Sequence, residues 1–513
     1  MAINLGKNEL PNQWIISELP EFTHIVMGQS PSSETYNFDG IGLPFFQGKA
    51  EFGTIYPTIS KYCSVPNKIA DEGATLLSVR APVGPTNLAN IRCCIGRGLA
   101  AIHPMGGMDP KFILLLFRSI EPNLSGEGTG STFSAITKTF VDDLKFAIPP
   151  INEQKRIVAK IEELFSELDN GIATLKTVRE QLKIYRQSVL KHAFQGKLTA
   201  KWREENADKL ESPDQLITRI QQEREVRFQQ QLEDWETAVK EWEANDKDGK
   251  KPVKPKEFVK QGEVGLGSEL VFDIPETWKS MLMGHVFSVH VGSTPSRTKN
   301  EFWNGDIFWV SSGEVAFCEI NKTAETITAE GYENTSTEIH QEGTVLLAMI
   351  GEGKTRGQAA ILRVPAAHNQ NTAAIRVSEI DLQPEYIYYF LQYQYEQTRR
   401  VGSGNNQKAL NKNRVASIQF PLCSIQEQIV IVQLLSEKLS FVESLDNELN
   451  IQLAKAKKLR LSILKKAFSG QLVSQNSNDE PASELLARIQ AEKHITSPCR
   501  PQKTRKTRST LGH

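Results

Sequence analysis

The phrase "LKHAFQGKL" at Leu190–Leu198 decides how this sequence is organised, because the chain contains it twice. At Leu464–Leu472 the chain reads "LKKAFSGQL". At the same offset between the two copies, "INEQ" from Ile151 falls on "IQEQ" from Ile425 without a gap. Similarity at a fixed offset indicates a duplicated structural unit.

Shorter matches surround these segments on both sides. They are "LPNQW" (Leu10–Trp14) with "IPETW" (Ile274–Trp278), "GQSPS" (Gly28–Ser32) with "GSTPS" (Gly292–Ser296), "EGATLLSV" from Glu72 with "EGTVLLAM" from Glu342, and "LITRIQQER" from Leu216 with "LLARIQAEK" from Leu485. The chain is therefore interpreted as two halves. Each half has a variable globular block followed by a long repeated segment.

The repeated segments have the spacing of coiled-coil helices, with apolar residues three, four or seven positions apart. In the first segment these are Ile157, Ile161, Leu164, Leu168, Leu175, Val178, Leu182, Tyr185 and Val189. In the second they are Ile431, Leu435, Val442, Leu449, Ala456, Leu459 and Ile463, with interruptions at Lys438 and Gln452. Gly196 and Gly470 stand where a helix should end, because glycine tolerates the left-handed conformation. Each stripe needs a partner helix, and the other copy can provide it.

The blocks show mixed secondary-structure signals. Short apolar runs predict buried strands at 74–80, 306–310 and 344–350, and apolar runs that begin at Pro110 and Pro384 predict helices. Between the halves, Gln221–Phe258 is predicted to form a charged helix and then an extended linker. The basic tail from His494 to His513 is expected to be disordered.

Composition excludes several classes of protein. The formal net charge is −1, which does not indicate a nucleic-acid binder. No run of about 18 apolar residues predicts a membrane span, and the first residues lack an apolar signal-peptide core. The six cysteines form no CxxC pair and the nine histidines no metal-spaced pair, so neither a disulfide framework nor a metal site is expected. We therefore expect a cytoplasmic protein.

One stretch resembles a phosphate-binding loop. "AMIGEGKT" at Ala348–Thr355 follows a predicted strand, but the next residues, "RGQAAILRV", predict a second strand and not the helix that a P-loop needs. A strand-to-strand loop that presents Lys354 and Arg356 is the favoured interpretation. The rest of the sequence contains no recognisable catalytic set, which favours a binding or assembly protein.

Two unlike blocks, each followed by "P-x-x-E-Q" and a long helix that ends in "A-F-x-G-x-L", closely resemble the specificity (S) subunit of type I restriction–modification systems. The resemblance covers nearly the whole chain. It also includes "AIPPINEQKRIVAKIEEL" from Ala147, "GSTPSRTKNEFWNGDIFWVSSGEV" from Gly292, and "RAPVG" from Arg80 with "GRGLAAI" from Gly96, which resemble one type of target-recognition domain. "NQNTAAI" from Asn369 resembles the corresponding piece of another type. The chain departs from the family with "PLCSIQEQ" in its second half and with its basic tail.

The resemblance implies an α+β fold with two mixed α/β target-recognition domains, separated by two long antiparallel coiled-coil helices with a pseudo-twofold repeat. The expected ranges are target-recognition domains at 1–150 and 271–421, conserved helices at 151–198 and 422–472, a charged helix and linker at 199–270, and a short helix with the basic tail at 473–513.

The resemblance also implies a non-catalytic subunit that recognises DNA. Each domain would read one half of a bipartite asymmetric site in double-stranded DNA. The helices would set the spacer and dock two methyltransferase (M) subunits, and through them restriction (R) subunits. S-adenosylmethionine, ATP and Mg would belong to those partners, with no cofactor in this chain. Two alternatives are a coiled-coil scaffold that does not read DNA and a nucleotide-binding enzyme that uses the Lys354 loop.

Candidate site residues follow from residue type and from the family motifs. Arg, Lys, Asn and Gln read base edges, and Ser, Thr and backbone amides contact phosphates. The candidate DNA-binding residues are Gln29, Ser30, Ser32, Gln47, Lys49, Arg80, Ser293, Thr294, Ser296, Arg297, Ser311, Ser312, Lys354, Arg356, Gln370, Asn405, Asn406 and Lys408. The candidate partner-docking residues are Glu153, Gln154, Phe194, Gly196, Glu427, Gln428, Phe468 and Gly470.

Overall fold

The structure is a computed structural model that describes residues 10–124, 135–247, 251–252, 254–255, 273–351, 353–400 and 410–496. It divides into two compact units. One contains Met1–Thr177 with Leu449–His513, and the other contains Val178–Glu448. Both boundaries fall inside long helices, so each unit combines one globular block with parts of two helices.

The strands of the first block are β1 (Ile15–Glu18), β2 (Thr23–Met27), β3 (Tyr36–Asn37), β4 (Leu43–Phe46), β5 (Tyr62–Cys63), β6 (Ile69–Ala70), β7 (Thr75–Ser78), β8 (Thr86–Leu88), β9 (Cys93–Ile95), β10 (Leu99–Pro104) and β11 (Lys145–Ile148). They form three sheets, with strand orders β1-β11, β2-β10-β7-β8 and β3-β5-β4-β9-β6. Its helices are α1 (Leu19–Phe22), α2 (Pro110–Leu124) and α3 (Lys138–Asp142). The apolar runs from Ala74 and Pro110 form the buried strand β7 and helix α2, as predicted.

Three helices connect the blocks. They are the long helix α4 (Ile151–Phe194), the short α5 (Ala200–Glu205) and the charged α6 (Pro213–Ala244). Ser212 caps α6, because its hydroxyl accepts a bond from the Gln215 amide at 3.2 Å while Pro213 occupies the first helical position. The predicted charged helix is therefore confirmed. Of the predicted linker, the structure describes only residues 251–252 and 254–255.

The strands of the second block are β12 (Lys279–Leu282), β13 (Val289–Val291), β14 (Trp303–Val310), β15 (Cys318–Ile320), β16 (Glu325–Ile327), β17 (Val345–Ala348), β18 (Ala359–Leu362), β19 (Ala366–His368), β20 (Thr372–Ile375) and β21 (Gln419–Leu422). They again form three sheets, with orders β12-β21, β13-β20-β17-β18-β15 and β16-β14-β19. Its helices are α7 (Met283–Val286), α8 (Ala329–Glu333), α9 (Pro384–Arg400) and α10 (Lys412–Ala416). The chain continues with the long helix α11 (Ile425–Ala467) and ends its described part with α12 (Ala482–Thr496).

Within each unit α4 and α11 lie side by side and run antiparallel. In the first unit Ile157 shares a core with Ala467, and further along α4 Asp169 pairs with Arg460 at 2.6 Å. In the second unit Arg179 pairs with Asp446 at 3.0 Å. Further along, buried residues of both helices belong to one hydrophobic core. The predicted fold class is therefore confirmed, with two mixed α/β blocks and paired long helices.

The predicted apolar stripe along each of the two long helices is only partly buried. Val178, Tyr185 and Leu459 are 37%, 46% and 50% exposed, so the prediction is wrong at these positions. In α11 the interruption at Lys438 is bridged by its neighbour Leu439, which is 8% exposed. Two helices alone cover only one side of each other, which explains why a coiled-coil spacing predicts a stripe but not its complete burial.

The repeated phrases build equivalent junctions. Phe194, at the end of α4, packs against Tyr386 and Phe390 of α9, with ring centroids 5.3 and 5.2 Å apart. Phe468, just after α11, packs against Phe112 of α2 at 5.5 Å. The shorter match between "LITRIQQER" and "LLARIQAEK" also has a structural counterpart. The start of α6 and the matching helix α12 bury apolar residues in equivalent cores. These are Leu216, Ile217 and Ile220 in the second unit, and Leu485, Leu486 and Ile489 in the first.

Gly470 terminates its helix in a conformation that only glycine adopts easily. Its φ is +73°, and a Cβ there would lie 2.5 Å from Cγ of Pro11. Gly470→Ala should destabilise the first unit by at least about 1–2 kcal/mol from the left-handed backbone alone. Urea unfolding measures this. Gly171→Ala is the control, because that helical glycine has open space around its Cβ position and the change should stabilise the helix by about 0.5–1 kcal/mol. Equal effects of the two changes would contradict the prediction.

In the part of the chain that the structure describes, none of the helices combines the length and apolar character that a membrane crossing requires.

Candidate nucleic-acid interface

In each block a pair of parallel strands ends at a cluster of polar loops, and the second block has a further parallel pair, β15 with β18. In the first block β4 runs parallel to β9, with Phe46 beside Ile95. In the second block β14 runs parallel to β19, with Val310 beside His368. Because parallel neighbours finish at the same edge, the loops that follow them meet there. These loops carry many of the candidate DNA-binding residues.

Hydrogen bonds show that the two edges are equivalent residue by residue. The Gly96 amide donates to the Phe46 carbonyl at 2.8 Å, as the Asn369 amide donates to the Val310 carbonyl at 3.0 Å. The amides of Gln29 and Ser293 donate to the carbonyls of Ile95 and His368 at 3.1 and 3.0 Å. The amides of Val79 and Met349 donate to the carbonyls of Gly98 and Asn371 at 2.9 and 2.8 Å. Two unlike sequences thus build one common loop arrangement.

In the first block the edge collects several of the candidate residues. Ser30 Oγ accepts the Arg97 amide at 3.3 Å, and Gln47 Oε1 accepts Lys61 Nζ at 3.2 Å. Lys49 begins the short 3-10 turn that follows β4, and this turn is held by the Glu51 carboxylate. Arg80 follows Val79, whose amide is bonded to this edge. The structure therefore brings Gln29, Ser30, Gln47, Lys49 and Arg80 together, while Ser32 lies further along the loop and accepts a bond from Thr35.

In the second block Thr294 and Gln370 meet, because the Thr294 hydroxyl donates to Gln370 Oε1. Ser311 follows β14, and its hydroxyl donates to the Glu314 carboxylate at 2.9 Å, where the short turn that contains Ser312 begins. Ser293 is bonded to the same edge through its amide. The candidate residues Ser293, Thr294, Ser311, Ser312 and Gln370 therefore share one edge.

Arg297 and Ser296 make contacts within the chain in this structure. The Arg297 guanidinium pairs with both oxygens of Glu325 and lies over the Trp303 ring, 3.8 Å from its centroid. Hydrogen bonding to Arg297 holds the pKa of Glu325 below its usual range. The Ser296 carbonyl accepts the Trp303 indole at 3.1 Å. Base reading by Arg297 would first require the ion pair with Glu325 to open.

The loop that resembles a phosphate-binding loop connects two antiparallel strands, β17 and β18. The interpretation as a strand-to-strand loop is therefore confirmed. Its Lys354 carbonyl accepts the Tyr395 hydroxyl at 2.6 Å, and Arg356 Nη2 donates to the Arg399 carbonyl at 3.0 Å, so the loop packs on α9. Asn405, Asn406 and Lys408 lie outside the described residues.

The candidate partner-docking residues are buried within the chain, apart from the half-buried Gly470. Trp14 Nε1 donates to Glu153 at 3.0 Å, and Trp278 Nε1 donates to Glu427 at 2.8 Å. The neighbouring Gln154 and Gln428 donate to the carbonyls of Pro149 and Cys423 at 3.0 and 2.9 Å. We call each indole–carboxylate pair a clasp. Gly196 and Gly470 close the same junctions against Pro275 and Pro11. These side chains hold the frame together, and their role in docking stays a prediction.

The two clasps differ in charge. Glu427 also accepts bonds from Thr199 at 2.6 Å and Arg203 at 2.9 Å, which makes a buried ion pair. Glu153 instead accepts the Gln475 amide at 2.7 Å, and burial raises the pKa of its carboxyl group. The sequence matched "LPNQW" to "IPETW" and "INEQ" to "IQEQ", but it did not reveal that the matched Trp and Glu bond to each other.

A buried pair of histidines lies beneath the polar edge of the second block and supports its loops. His340 Nε2 lies 3.0 Å from His368 Nε2, and Arg376 Nε donates to His340 Nδ1 at 3.0 Å. On the other side, His368 Nδ1 lies 2.6 Å from the Thr372 hydroxyl. Burial lowers the pKa of both rings, so both are neutral at pH 7. This network fixes the ends of the loop that carries Gln370.

Among the described residues, no group of His, Cys, Asp and Glu side chains has the arrangement of a metal site. The polar edges contain amides, hydroxyls and cations, which are groups that bind bases and phosphates.

Comparison with known proteins agrees with this chemistry. Residues 11–183 and 275–455 match the family model described as type I restriction modification DNA specificity domain. The EcoKI specificity subunit of Escherichia coli is 21% identical over 95% of this chain and 97% of its own length. The MjaX specificity subunit of Methanocaldococcus jannaschii is 38% identical over 38% of this chain, and the match spans 45% of that protein.

Solved structures share the fold. The HsdS subunit from Thermoanaerobacter tengcongensis covers 92% of this chain at a TM-score of 0.52 and 17% identity, over 100% of its own chain. A chain from a study of complex assembly in a type I R-M system reaches a TM-score of 0.64 at 17% identity, over 91% of this chain and 100% of its own. The family model covers more than half of the sequence, in two copies that coincide with the repeat. The chain therefore belongs to the family of type I restriction–modification DNA specificity subunits, which are not catalytic.

Proposed function

We propose that each block of this chain reads one half of a bipartite, asymmetric site in double-stranded DNA. The equivalence of the two polar edges carries this proposal. Each edge is held by the same backbone hydrogen bonds, yet it presents different side chains, namely Gln29, Ser30 and Gln47 in one and Thr294, Gln370 and Ser311 in the other. A common scaffold with different base-reading groups is what recognition of two unlike half-sites requires.

The frame around the edges fits the assembly of a larger complex. We propose that the junctions at Glu153 and Glu427 give the chain two equivalent docking places for methyltransferase subunits, and through them for restriction subunits. Because the junction side chains are buried, they would act by fixing the surrounding surface and not by direct contact. S-adenosylmethionine, ATP and Mg would be bound by those partners, and the complex would work on DNA in the cytoplasm. The long helices would set the spacer between the half-sites.

Charge supports the need for partners. The chain as a whole has a formal net charge of −1, and neither block is basic. Contacts to phosphates supply most of the affinity for DNA, and they require cations. The chain alone would therefore bind DNA weakly, and the methyltransferase subunits would provide much of the phosphate neutralisation.

A block exchange tests this function. Residues 271–421 would be replaced by the corresponding block of a related specificity subunit, and the complex with its methyltransferase would be assayed by methylation sequencing. We expect one half of the methylated site to change completely, while the other half and its orientation stay the same, because each edge is built within one block.

The matched control exchanges only Arg227–Ala244, the outer part of the charged helix α6, and should leave both half-sites unchanged. Alteration of both halves by the block exchange, or of neither, would contradict the proposal. A scaffold without DNA reading predicts no sequence preference in any variant, and an enzyme based on Lys354 predicts ATP binding by the purified chain.

A further inference from the structure

Arg97 occupies the same place in the first block as Gln370 does in the second. Each follows a parallel strand by two residues, after Ile95 in one case and His368 in the other. The residues before them, Gly96 and Asn369, donate to the end of the neighbouring parallel strand at 2.8 and 3.0 Å. Gln370 is among the candidate residues that the sequence indicates, but its counterpart Arg97 is not.

The segment around Arg97 is held rigidly by its backbone. The Leu99 amide donates to the Gly96 carbonyl at 3.0 Å, the Val79 amide to the Gly98 carbonyl at 2.9 Å, and the Arg97 amide to Ser30 Oγ at 3.3 Å. In the second block the Thr372 amide donates to the Asn369 carbonyl at 3.3 Å, in the same relative position. A fixed backbone lowers the conformational entropy that a side chain loses when it binds.

The glycines beside Arg97 allow three loops to meet. A Cβ at Gly98 would lie 2.4 Å from the Gln47 carbonyl oxygen, and a Cβ at Gly28 would lie 2.2 Å from the Gly96 carbonyl oxygen. Side chains larger than hydrogen are therefore excluded at these contacts. Between Gly96 and Gly98, Arg97 has the one side chain of the segment that extends beyond the backbone, and it is exposed.

The Arg97 side chain is available for a ligand. Within the described part of the chain its guanidinium forms no ion pair with a carboxylate, whereas Arg92 in the same block pairs with Asp71 at 3.1 Å. The Tyr36 phenol is close enough to feel the charge of Arg97. Burial raises the pKa of Tyr36, and the positive charge of Arg97 partly offsets this rise. Tyr36 in turn donates to the Pro31 carbonyl at 3.0 Å, which places the cation beside the loop that contains Ser30.

We infer that Arg97 is a specificity-determining residue that reads a guanine in the half-site of the first block, at the position where Gln370 contacts a base in the other half-site. Arginine forms two parallel hydrogen bonds with the O6 and N7 atoms of guanine, whereas glutamine forms two with adenine. This inference rests on the proposed function. It adds the base class that the first block selects at one position.

The test uses the full chain in complex with its methyltransferase subunits. Wild-type, Arg97→Ala, Arg97→Gln and the control Arg92→Gln would each methylate a DNA library that is randomised over both half-sites. For Arg97→Ala we expect a 5- to 150-fold loss, as an order of magnitude, at the cognate site, which corresponds to one bidentate base contact. The preference for guanine should disappear at one position of the first half-site, and the second half-site should be unchanged. Arg97→Gln should shift the same position towards adenine.

Three outcomes would overturn the inference. Arg97→Ala could weaken methylation of all sequences equally and reduce the salt dependence by about one phosphate contact, which would make Arg97 a phosphate ligand. It could have no effect, like Arg92→Gln, or it could alter the second half-site. If Arg97→Ala does not fold, Arg97→Gln, which keeps a polar side chain of intermediate length, decides between the same outcomes. A wild-type complex without a bipartite preference would refute the proposed function itself, which separates the two failures.

Discussion

Glu427→Gln should destabilise the second unit by about 3–5 kcal/mol, whereas the equivalent change Glu153→Gln should cost less than about 1 kcal/mol. Both carboxylates accept a tryptophan indole in a clasp. The difference lies in their other partners. Glu427 faces the Arg203 guanidinium, whose side chain is only 14% exposed, and glutamine would leave this cation without a counter-charge. Removal of one member of a buried ion pair is costly for this reason.

Within the described ranges Glu153 forms no ion pair of this kind. Its second partner is the Gln475 amide, which can turn so that its oxygen accepts a bond from glutamine at position 153. The nearby Arg156 is paired with Asp479 at 2.6 Å. Burial raises the pKa of Glu153, which means that the buried carboxylate is costly to keep charged at pH 7. Replacement by neutral glutamine removes this cost. Glutamine in this position therefore keeps the clasp.

Hydrogen exchange of peptides from each unit, together with urea unfolding, measures the two changes separately. The double variant Glu427→Gln/Arg203→Met should recover much of the loss, because it removes both buried charges. This variant also decides the matter if the single change prevents folding. Equal losses for Glu153→Gln and Glu427→Gln would show that the indole bond dominates both clasps and that the ion pair contributes little.

The repeat predicted the frame of this protein well. Two phrases at one fixed offset, with glycines at their ends, correctly indicated two long helices that end in equivalent junctions. The apolar runs from Ala74 and Thr344 predicted buried strands, since such runs need cover on both faces. These features depend on local pattern, which sequence contains directly.

Tertiary contacts changed the interpretation of individual residues. Glu153 and Glu427 were candidate partner-docking residues, yet both are buried and their carboxylates accept an indole and other donors within the chain. Arg297 looked available, but Glu325, which is distant from it along the chain, neutralises it. No local pattern contains such a pairing.

The stretches "GRGLAAI" from Gly96 and "NQNTAAI" from Asn369 already place Arg97 opposite Gln370 in the sequence, but at a different offset from the surrounding repeat. The sequence separation between the strand ends Phe46 and Val310 is smaller than the separation between Gly96 and Asn369. A fixed offset therefore separates loops that the backbone hydrogen bonds bring to the same place. The structure adds that both residues follow a parallel strand by two positions, which the sequence alignment does not reveal.

The second unit should lose stability steeply in mild acid, because its core contains two neutral histidines. Arginine can only donate, so His340 Nδ1 must accept from Arg376, and the proton of His340 lies on Nε2. His340 then donates to His368 Nε2, and His368 Nδ1 donates towards Thr372. If either ring took up a further proton, two N–H donors would face each other and one hydrogen bond of the network would be lost. Burial lowers the pKa of both rings for the same structural reason.

Acid should lower the stability of the folded second unit because its histidines bind protons less readily than those of the unfolded chain. In the unfolded chain a histidine takes up its proton below about pH 6.5, whereas the folded pair stays neutral to a much lower pH, so acid favours the unfolded chain. Each histidine should cost about 1.4 kcal/mol per pH unit below 6.5, and the pair about 4 kcal/mol at pH 5. Glu338 contributes in another window. Bonding to His290 lowers the pKa of Glu338 to about 2, so its contribution is lost only below its ordinary value of 4.5.

Urea unfolding of the second unit between pH 7 and pH 5, followed by hydrogen exchange of its peptides, measures the slope. His340→Gln should halve the contribution of the pair. The glutamine oxygen can accept from Arg376 and its amide can donate to His368, so the network survives with one titrating ring fewer. His192→Gln is the control, because that ring is exposed and should leave the slope unchanged. If His340→Gln and wild type lose stability with the same slope, the histidine pair is not the acid-sensitive element of this block.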